Sequence, residues 1–207
     1  MTLLSDAERR KVDETDDRYF YHTPRYVTHA DEGFLGRLTE AYRERFEPGD
    51  RVLDAMGSWV SHFPAVELGR VVGHGLNPAE LRANDRYDEW FIQDLNRERT
   101  LPLADDTFEV ICCALSVQYL QYPAAVFAEF DRVRTDDGVV MVSFTNRMFP
   151  TKAVRAWREA SMDGRAGLVE SYIKAGGMGV LERVTERPDR GDPFYLFVGG
   201  TPTDDRR

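Results

Sequence analysis

From residue 50 to about residue 144, short β-favouring apolar runs alternate with segments whose apolar residues recur at helical spacing, and this alternation constrains the fold most. A chain that keeps returning from strand to helix to strand builds a parallel sheet with helices packed across it. The strand candidates are Arg51–Asp54, Arg70–Gly73, Glu89–Gln93, Phe108–Ala114 and Gly138–Phe144. Continuous apolar stretches such as Val110-Ile-Cys-Cys-Ala-Leu115 suit strands buried on both faces.

The segments between them carry helix signals. Asn77-Pro-Ala-Glu80 offers an N-cap, a proline at the first helical position and a glutamate placed to complete a capping box. Pro123 opens a helix with Val126, Phe127, Phe130 and Val133 as its apolar stripe, and Asp136-Asp-Gly138 reads as a turn back into the sheet. Upstream, Phe34, Leu35, Leu38, Ala41, Tyr42 and Phe46 recur at helical spacing, ended by Pro48-Gly-Asp50. Two more helices are expected near 151–160 and 163–175. The last β-like runs, Gly179–Glu186 and Phe194–Gly199, are joined by a segment too short for a crossover helix, so they form an antiparallel hairpin.

At 207 residues the chain suits one domain. We divide it into an N-terminal helical cover at 1–47, the sheet domain at 48–200 and a tail at 201–207. Asp and Glu number 36 against 27 Lys and Arg, a formal charge of −9, which argues against nucleic acid or an anionic membrane as a partner. Lysine is confined to Lys11, Lys152 and Lys174. That balance fits a halophilic origin, with net charge maintaining solubility in salt, and equally a high-GC genome that favours arginine. Cys112 and Cys113, adjacent on a strand, point to opposite faces and lack metal-ligand spacing, so neither a disulfide nor a metal site is expected. No apolar stretch is long enough for a signal peptide or a membrane span, and a cytoplasmic protein is expected.

In an open α/β sheet, ligands bind beyond the carboxyl ends of the strands. Each of the five strands exits into polar residues: Asp54 to His62, His74 to Asn77, Gln93-Asp-Leu-Asn96, Ser116-Val-Gln-Tyr119 and Thr145-Asn-Arg147.

Three stretches carry a family resemblance: Pro48-Gly-Asp-Arg-Val-Leu-Asp54, Leu101-Pro-Leu-Ala-Asp-Asp-Thr-Phe-Glu-Val110 and Phe127-Ala-Glu-Phe-Asp-Arg-Val-Arg-Thr-Asp-Asp-Gly138. With the order of elements, they resemble a divergent branch of the class I S-adenosylmethionine-dependent methyltransferases, of the type-11-like kind, over residues 48 to about 200. The resemblance implies a Rossmann-like α/β fold with a mostly parallel seven-stranded sheet, a C-terminal antiparallel hairpin and helices on both faces. It also implies S-adenosylmethionine as cofactor and a small-molecule acceptor.

Carried onto this chain, the cofactor-binding candidates are Asp54, Gly57, Ser58, Asn77, Asp94, Leu95 and Ser116, with Asp94 near the adenine amino group. Two departures stand out. The glycine-rich turn after the first strand is reduced to Met56-Gly57-Ser58-Trp59, and Gly75 stands where such enzymes place an acid for the ribose hydroxyls. Asn77 is a candidate for that ribose contact, with helix capping as its other reading. His62, Tyr119 and His29 are candidates to take a proton or orient the acceptor, the alternative for each being a packed or capping side chain. Tyr19, Phe20, Tyr21, Tyr26 and Trp59 either wall a substrate pocket, with Arg25 as an anion anchor, or pin the N-terminal segment over the sheet. Arg147 and Lys152 form a cationic spot suited to an acidic substrate.

Two functions are carried forward: methyl transfer to a small molecule, or a non-catalytic protein of the same fold that binds a nucleoside or a protein partner. A nicotinamide dehydrogenase is excluded, since Gly-x-Gly-x-x-Gly does not follow Asp54. Oligomeric state is left open by the sequence.

Overall fold

Residues 3–202 are described by the computed structural model; Met1, Thr2 and residues 203–207, most of the segment read as a tail, lie outside the described residues. Three helices precede the sheet: α1 (Asp6–Arg9), α2 (Asp17–Phe20) and α3 (Glu32–Arg43). The strands are β1 (Arg51–Asp54), β2 (Arg70–Gly75), β3 (Glu89–Ile92), β4 (Phe108–Ala114), β5 (Arg134–Phe144), β6 (Gly179–Glu186) and β7 (Phe194–Gly200). Between them lie α4 (Pro78–Ala83), α5 (Pro123–Val133), α6 (Arg155–Glu159) and α7 (Met162–Ala175).

The strands form one sheet in the order β3-β2-β1-β4-β5-β7-β6. β1 to β5 pair in parallel, and β7 runs antiparallel to both β5 and β6. The expected mixed sheet with its terminal hairpin is therefore present. One boundary differs in an informative way: Asp136-Asp137-Gly138 does not turn the chain but lies inside β5, where Phe108↔Arg134 is followed by Val110↔Val139. The extra residues of β5 bulge out, and the Arg134 guanidinium holds them by donating to the carbonyls of Thr135 and Asp136, both at 3.0 Å. The helix expected at 151–160 is shorter, because the chain turns through residues 151–153 before α6 begins.

Side chains along the central strands alternate between two apolar clusters. Val52, Val110, Cys112 and Met141 pack with α3, while Leu53, Ile111, Cys113 and Val142 pack with α5, α6 and α7. Both cysteines are free and buried, on opposite faces. No helix among the described residues is long and apolar enough to cross a membrane.

The cover at the N-terminus is less helical than expected, with irregular chain from residue 10 to 16 and from residue 24 to 31. Buried charge fixes it. Lys152, fully enclosed, places its Nζ 3.0 Å from Asp13 Oδ2, 3.2 Å from Asp17 Oδ1 and 2.8 Å from the Thr15 carbonyl. Lys11 also pairs with Asp17, and Asn96 Nδ2 donates to Asp17 Oδ2 at 3.2 Å. Lys152 is thus neutralised inside the protein and is not the substrate-facing cation expected from the sequence. Removing one partner of a buried pair leaves the other desolvated and unpaired. Lys152→Met should therefore lower the unfolding free energy by about 3 kcal/mol. Denaturant unfolding measures the loss, and limited proteolysis should show cleavage moving into residues 11–30 while the sheet stays protected.

Candidate functional site

The carboxyl ends of β1 to β4, together with the β5 exit loop, border a cavity of about 360 Å³. That volume falls within the roughly 300–1,000 Å³ usual for small-molecule sites. It lies where the strand order reverses between β1 and β4, and Tyr21, Arg25 and His29 of the cover line it from the opposite side. All the cofactor-site candidates (Asp54, Gly57, Ser58, Asn77, Asp94, Leu95 and Ser116) and all three proton-handling candidates (His29, His62 and Tyr119) border this cavity.

The turn after β1 is built around Asp54, which is 4% exposed. Tyr87 donates its hydroxyl hydrogen to Asp54 Oδ2 at 2.8 Å and Ser61 gives a second hydrogen bond, yet burial still pushes the Asp54 carboxyl up to about 6. A Cβ on Gly57 would lie 2.3 Å from the Tyr87 hydroxyl, and one on Gly73 2.3 Å from its ring. These two glycines make room for Tyr87, so the single glycine kept in the turn seats an aromatic ring against Asp54.

His74 closes the β2 exit in a way the sequence reading did not anticipate. The Met56 N–H donates to its Nδ1 at 3.0 Å, and its Nε2 donates to the Gln93 carbonyl at 2.9 Å. The ring is fully enclosed, and burial holds its pKa down to about 4, so a neutral imidazole with its proton on Nε2 joins the exits of β1, β2 and β3. A lone histidine within Val71-Val-Gly-His74 was the available signal.

Asn77 has every hydrogen-bonding position in use. Its Oδ1 accepts from the N–H groups of Ala79 (2.9 Å) and Glu80 (3.1 Å), and its Nδ2 donates to the carbonyls of Tyr21 (2.7 Å) and His22 (3.1 Å). It caps α4 and pins the cover, which leaves nothing for a ribose. The capping box forms only on the Asn77 side. Glu80, 8% exposed, turns its carboxylate to the cavity instead, where Oε1 accepts from the Arg25 N–H at 2.7 Å and Oε2 from the Ser58 hydroxyl at 2.6 Å.

At the β3 exit, Asp94 Oδ1 accepts from the Asn96 N–H at 2.9 Å, and burial raises its pKa. Leu95 is 3% exposed beside it. At the β4 exit, the Ser116 hydroxyl meets Cys113 Sγ at 3.4 Å. Gln118 is 2% exposed and donates from Nε2 to the Leu115 carbonyl at 2.7 Å, while its Oε1 has no partner. Gln118 bordered a run already singled out, but a buried acceptor without a partner is visible only in three dimensions.

The three proton-handling candidates separate by charge state. Burial raises the Tyr119 pKa, and its hydroxyl oxygen accepts from the Phe149 N–H at 2.9 Å. Tyr119 can donate or orient, but it does not act as a base near neutral pH. Burial lowers the pKa of both His29 and His62, leaving each imidazole neutral with a lone pair. The His29 ring stands edge-on to Phe149 at 5.4 Å.

The cations of the region divide as well. Arg147 Nε is paired with Asp192 at 2.8 Å and its side chain is half exposed. Arg25 lies over the rings of Phe20 (4.4 Å) and Phe149 (5.4 Å), with Nη2 donating to the Phe20 carbonyl at 2.9 Å. Of the aromatic candidates, Tyr21 and Trp59 border the cavity, while Tyr26 meets Trp59 edge-on at 6.2 Å and Trp59 Nε1 donates to the Val27 carbonyl at 3.1 Å. Tyr19 is largely exposed and takes no part.

Residues 56–142 match a family described as a methyltransferase domain. No curated protein matches the sequence. Among solved structures, a S-adenosylmethionine-dependent methyltransferase from Aquifex aeolicus is 14% identical with a TM-score of 0.58, over 88% of this chain and 96% of that one. The YcgJ protein of Bacillus subtilis is 11% identical with a TM-score of 0.60, over 83% of this chain and 100% of that one. The [4+2]-cyclase SpnF is 13% identical with a TM-score of 0.57, over 80% of this chain and 81% of that one. These likenesses establish the fold, and the range of activities in their names is a reminder that fold alone does not set chemistry.

Asp54 and His74 give the site a testable pH signature. Asp54 binds its proton more tightly folded than unfolded, so its contribution to stability grows as pH falls from about 6 towards 4. His74 binds its proton less tightly when folded, so its contribution is lost as pH falls from about 6.5 towards 4. The two oppose each other. Asp54→Asn removes the compensating half, and its unfolding free energy should fall over that range by on the order of 2 kcal/mol more than that of the unaltered protein. Urea unfolding at several pH values measures the difference, and parallel curves would contradict the assignment.

Proposed function

We propose that the chain, whose residues 56–142 match a methyltransferase domain, is a class I S-adenosylmethionine-dependent methyltransferase that transfers a methyl group from S-adenosylmethionine to a small-molecule acceptor held in the strand-exit cavity. The observation that carries this reading is the convergence of four parallel strand ends on one cavity at the point of strand-order reversal.

The polar groups of the cavity suit this cofactor. Asp94 and Leu95 border the cavity, where Asp94 would accept from the adenine amino group and Leu95 would flank the ring. Glu80 has acceptor capacity beyond its bonds to Arg25 and Ser58 and takes the ribose hydroxyls, replacing the acid absent at the end of β2. Gln118 Oε1, buried and unpartnered, accepts from the cationic amino group, with Ser116 next to it. Asp54 and Gly57 fix the turn beneath.

When bound, S-adenosylmethionine would supply an electrophilic methyl carbon on a positively charged sulfur, open to attack by an acceptor's lone pair with the sulfide as leaving group. The protein's part is alignment and the exclusion of water. The cover provides both, with Tyr21, Arg25 and His29 facing the strand exits. The neutral imidazoles of His29 and His62 take a proton where the acceptor must lose one, and the Tyr119 hydroxyl orients it. A cavity of about 360 Å³ is of a size that suits a small-molecule acceptor.

One observation favours a second reading. Tyr87 occupies the space beside Gly57, which makes the β1 turn less open, as suits a non-catalytic nucleoside-binding protein. Calorimetric titration with S-adenosylmethionine and S-adenosylhomocysteine tests both. The protein should bind each, and Asp94→Ala and Glu80→Gln should each weaken binding about tenfold or more, the usual worth of a hydrogen bond to a charged group. Asn77→Ala should weaken it less than Asp94→Ala. No binding of either ligand at high micromolar concentration would defeat the methyltransferase reading, while tight binding without turnover across small nucleophiles would favour the second.

A further inference from the structure

We propose that Arg25 is an anion-recognition residue and that the acceptor carries a carboxylate beside an apolar body. This proposal rests on the cavity being a methyltransferase site. Three cations were candidates for such a role, and the structure commits two of them elsewhere: Lys152 is enclosed with Asp13 and Asp17, and Arg147 is paired with Asp192. Arg25 borders the cavity, and no carboxylate pairs with its guanidinium among the described residues. Nη2 is held by the Phe20 carbonyl, which fixes the plane of the fork, and Nη1 is buried without a hydrogen-bond partner. A charged donor left in that state is costly, and a ligand oxygen that accepts from the fork removes the cost.

The surroundings specify the rest of the ligand. The guanidinium sits among the rings of Phe20, Tyr21 and Phe149, at 4.4, 5.8 and 5.4 Å. Tyr119 stacks on Phe149 at 6.1 Å, and His29 meets the same ring edge-on. An anion there has aromatic surface beside it for an apolar body, and a neutral imidazole within the same cluster. Tyr119 and Phe149 follow β4 and β5, whereas the groups assigned to adenine and ribose follow β2 and β3, which puts this anion site on the acceptor side. A single negative charge is favoured over a phosphate dianion, because Glu80 already holds the Arg25 N–H and sets a fixed carboxylate close by.

The test titrates the full chain, free and saturated with S-adenosylhomocysteine, with benzoate, phenylacetate and hexanoate and with their neutral amides. The acids should bind at least about tenfold more tightly than the amides, the preference should vanish in Arg25→Gln, and Arg25→Lys should restore part of it. Equal binding of acids and amides, or an acid preference that survives Arg25→Gln, overturns the proposal. Thermal unfolding checks that Arg25→Gln is folded; if it is not, Arg25→Lys decides, with several-fold weaker acid binding expected and unchanged acid binding contrary.

A second arm separates the acceptor from the cofactor's own carboxylate. Arg25→Gln should leave the Kd values of S-adenosylhomocysteine and of 5′-methylthioadenosine, which lacks that carboxylate, unchanged. Weakening of S-adenosylhomocysteine alone assigns Arg25 to the cofactor and overturns the proposal. Failure of S-adenosylhomocysteine to bind the unaltered protein removes the methyltransferase reading instead, and the acid-against-amide comparison on the free protein still decides whether Arg25 recognises carboxylates.

Discussion

Burial of the central strands on both faces is the constraint on which the rest depends. Side chains of β1, β4 and β5 alternate between two apolar clusters, so polar groups leave the sheet only at the strand ends. Helices occupy both faces, and the amino ends of the strands are reached by short turns from α3 and α5. What remains for chemistry is the carboxyl edge. There backbone groups beyond the strand ends are taken up by the side chains of His74, Asn77, Asp94 and Asn96, and all four residues border the cavity.

Closing that edge is the work of the cover, and it is held by polar contacts where a helix would be held by apolar ones. The Lys152 cluster ties down residues 11–17, Asn77 holds the carbonyls of Tyr21 and His22, and Glu80 holds the Arg25 N–H. Each tie is directional. The segment therefore lies in one defined path although much of it is neither helix nor strand, and its aromatic residues are delivered to fixed places over the β4 and β5 exits.

The sheet was legible because its signals are local. Apolar runs marked β1 to β5, Asn77-Pro78 marked the start of α4, and the absence of a crossover before Phe194 dictated the hairpin. The location of the cavity also followed, since strand exits can be read in order along the chain. The partners of individual side chains did not. Asn77 and Glu80 looked like a capping box, but the carboxylate found Ser58 and Arg25 across long sequence separations. Lys152 looked like a surface cation until Asp13 and Asp17 enclosed it. Asp136-Asp137-Gly138 has turn composition, and only the neighbouring β4 reveals that a bulge uses it. In each case a tertiary contact outranked a local preference.

Glu80 joins three parts that are remote in sequence: the start of α4, the β1 turn through Ser58, and the cover through Arg25. A carboxylate shared in this way makes the two sides of the cavity partners in one equilibrium. Any ligand that binds Glu80 more tightly while the Arg25 N–H is in place must, by linkage, hold the cover in place by the same factor. Seating of the cover and filling of the α4 side are then reciprocal, each favoured by the other to the same degree.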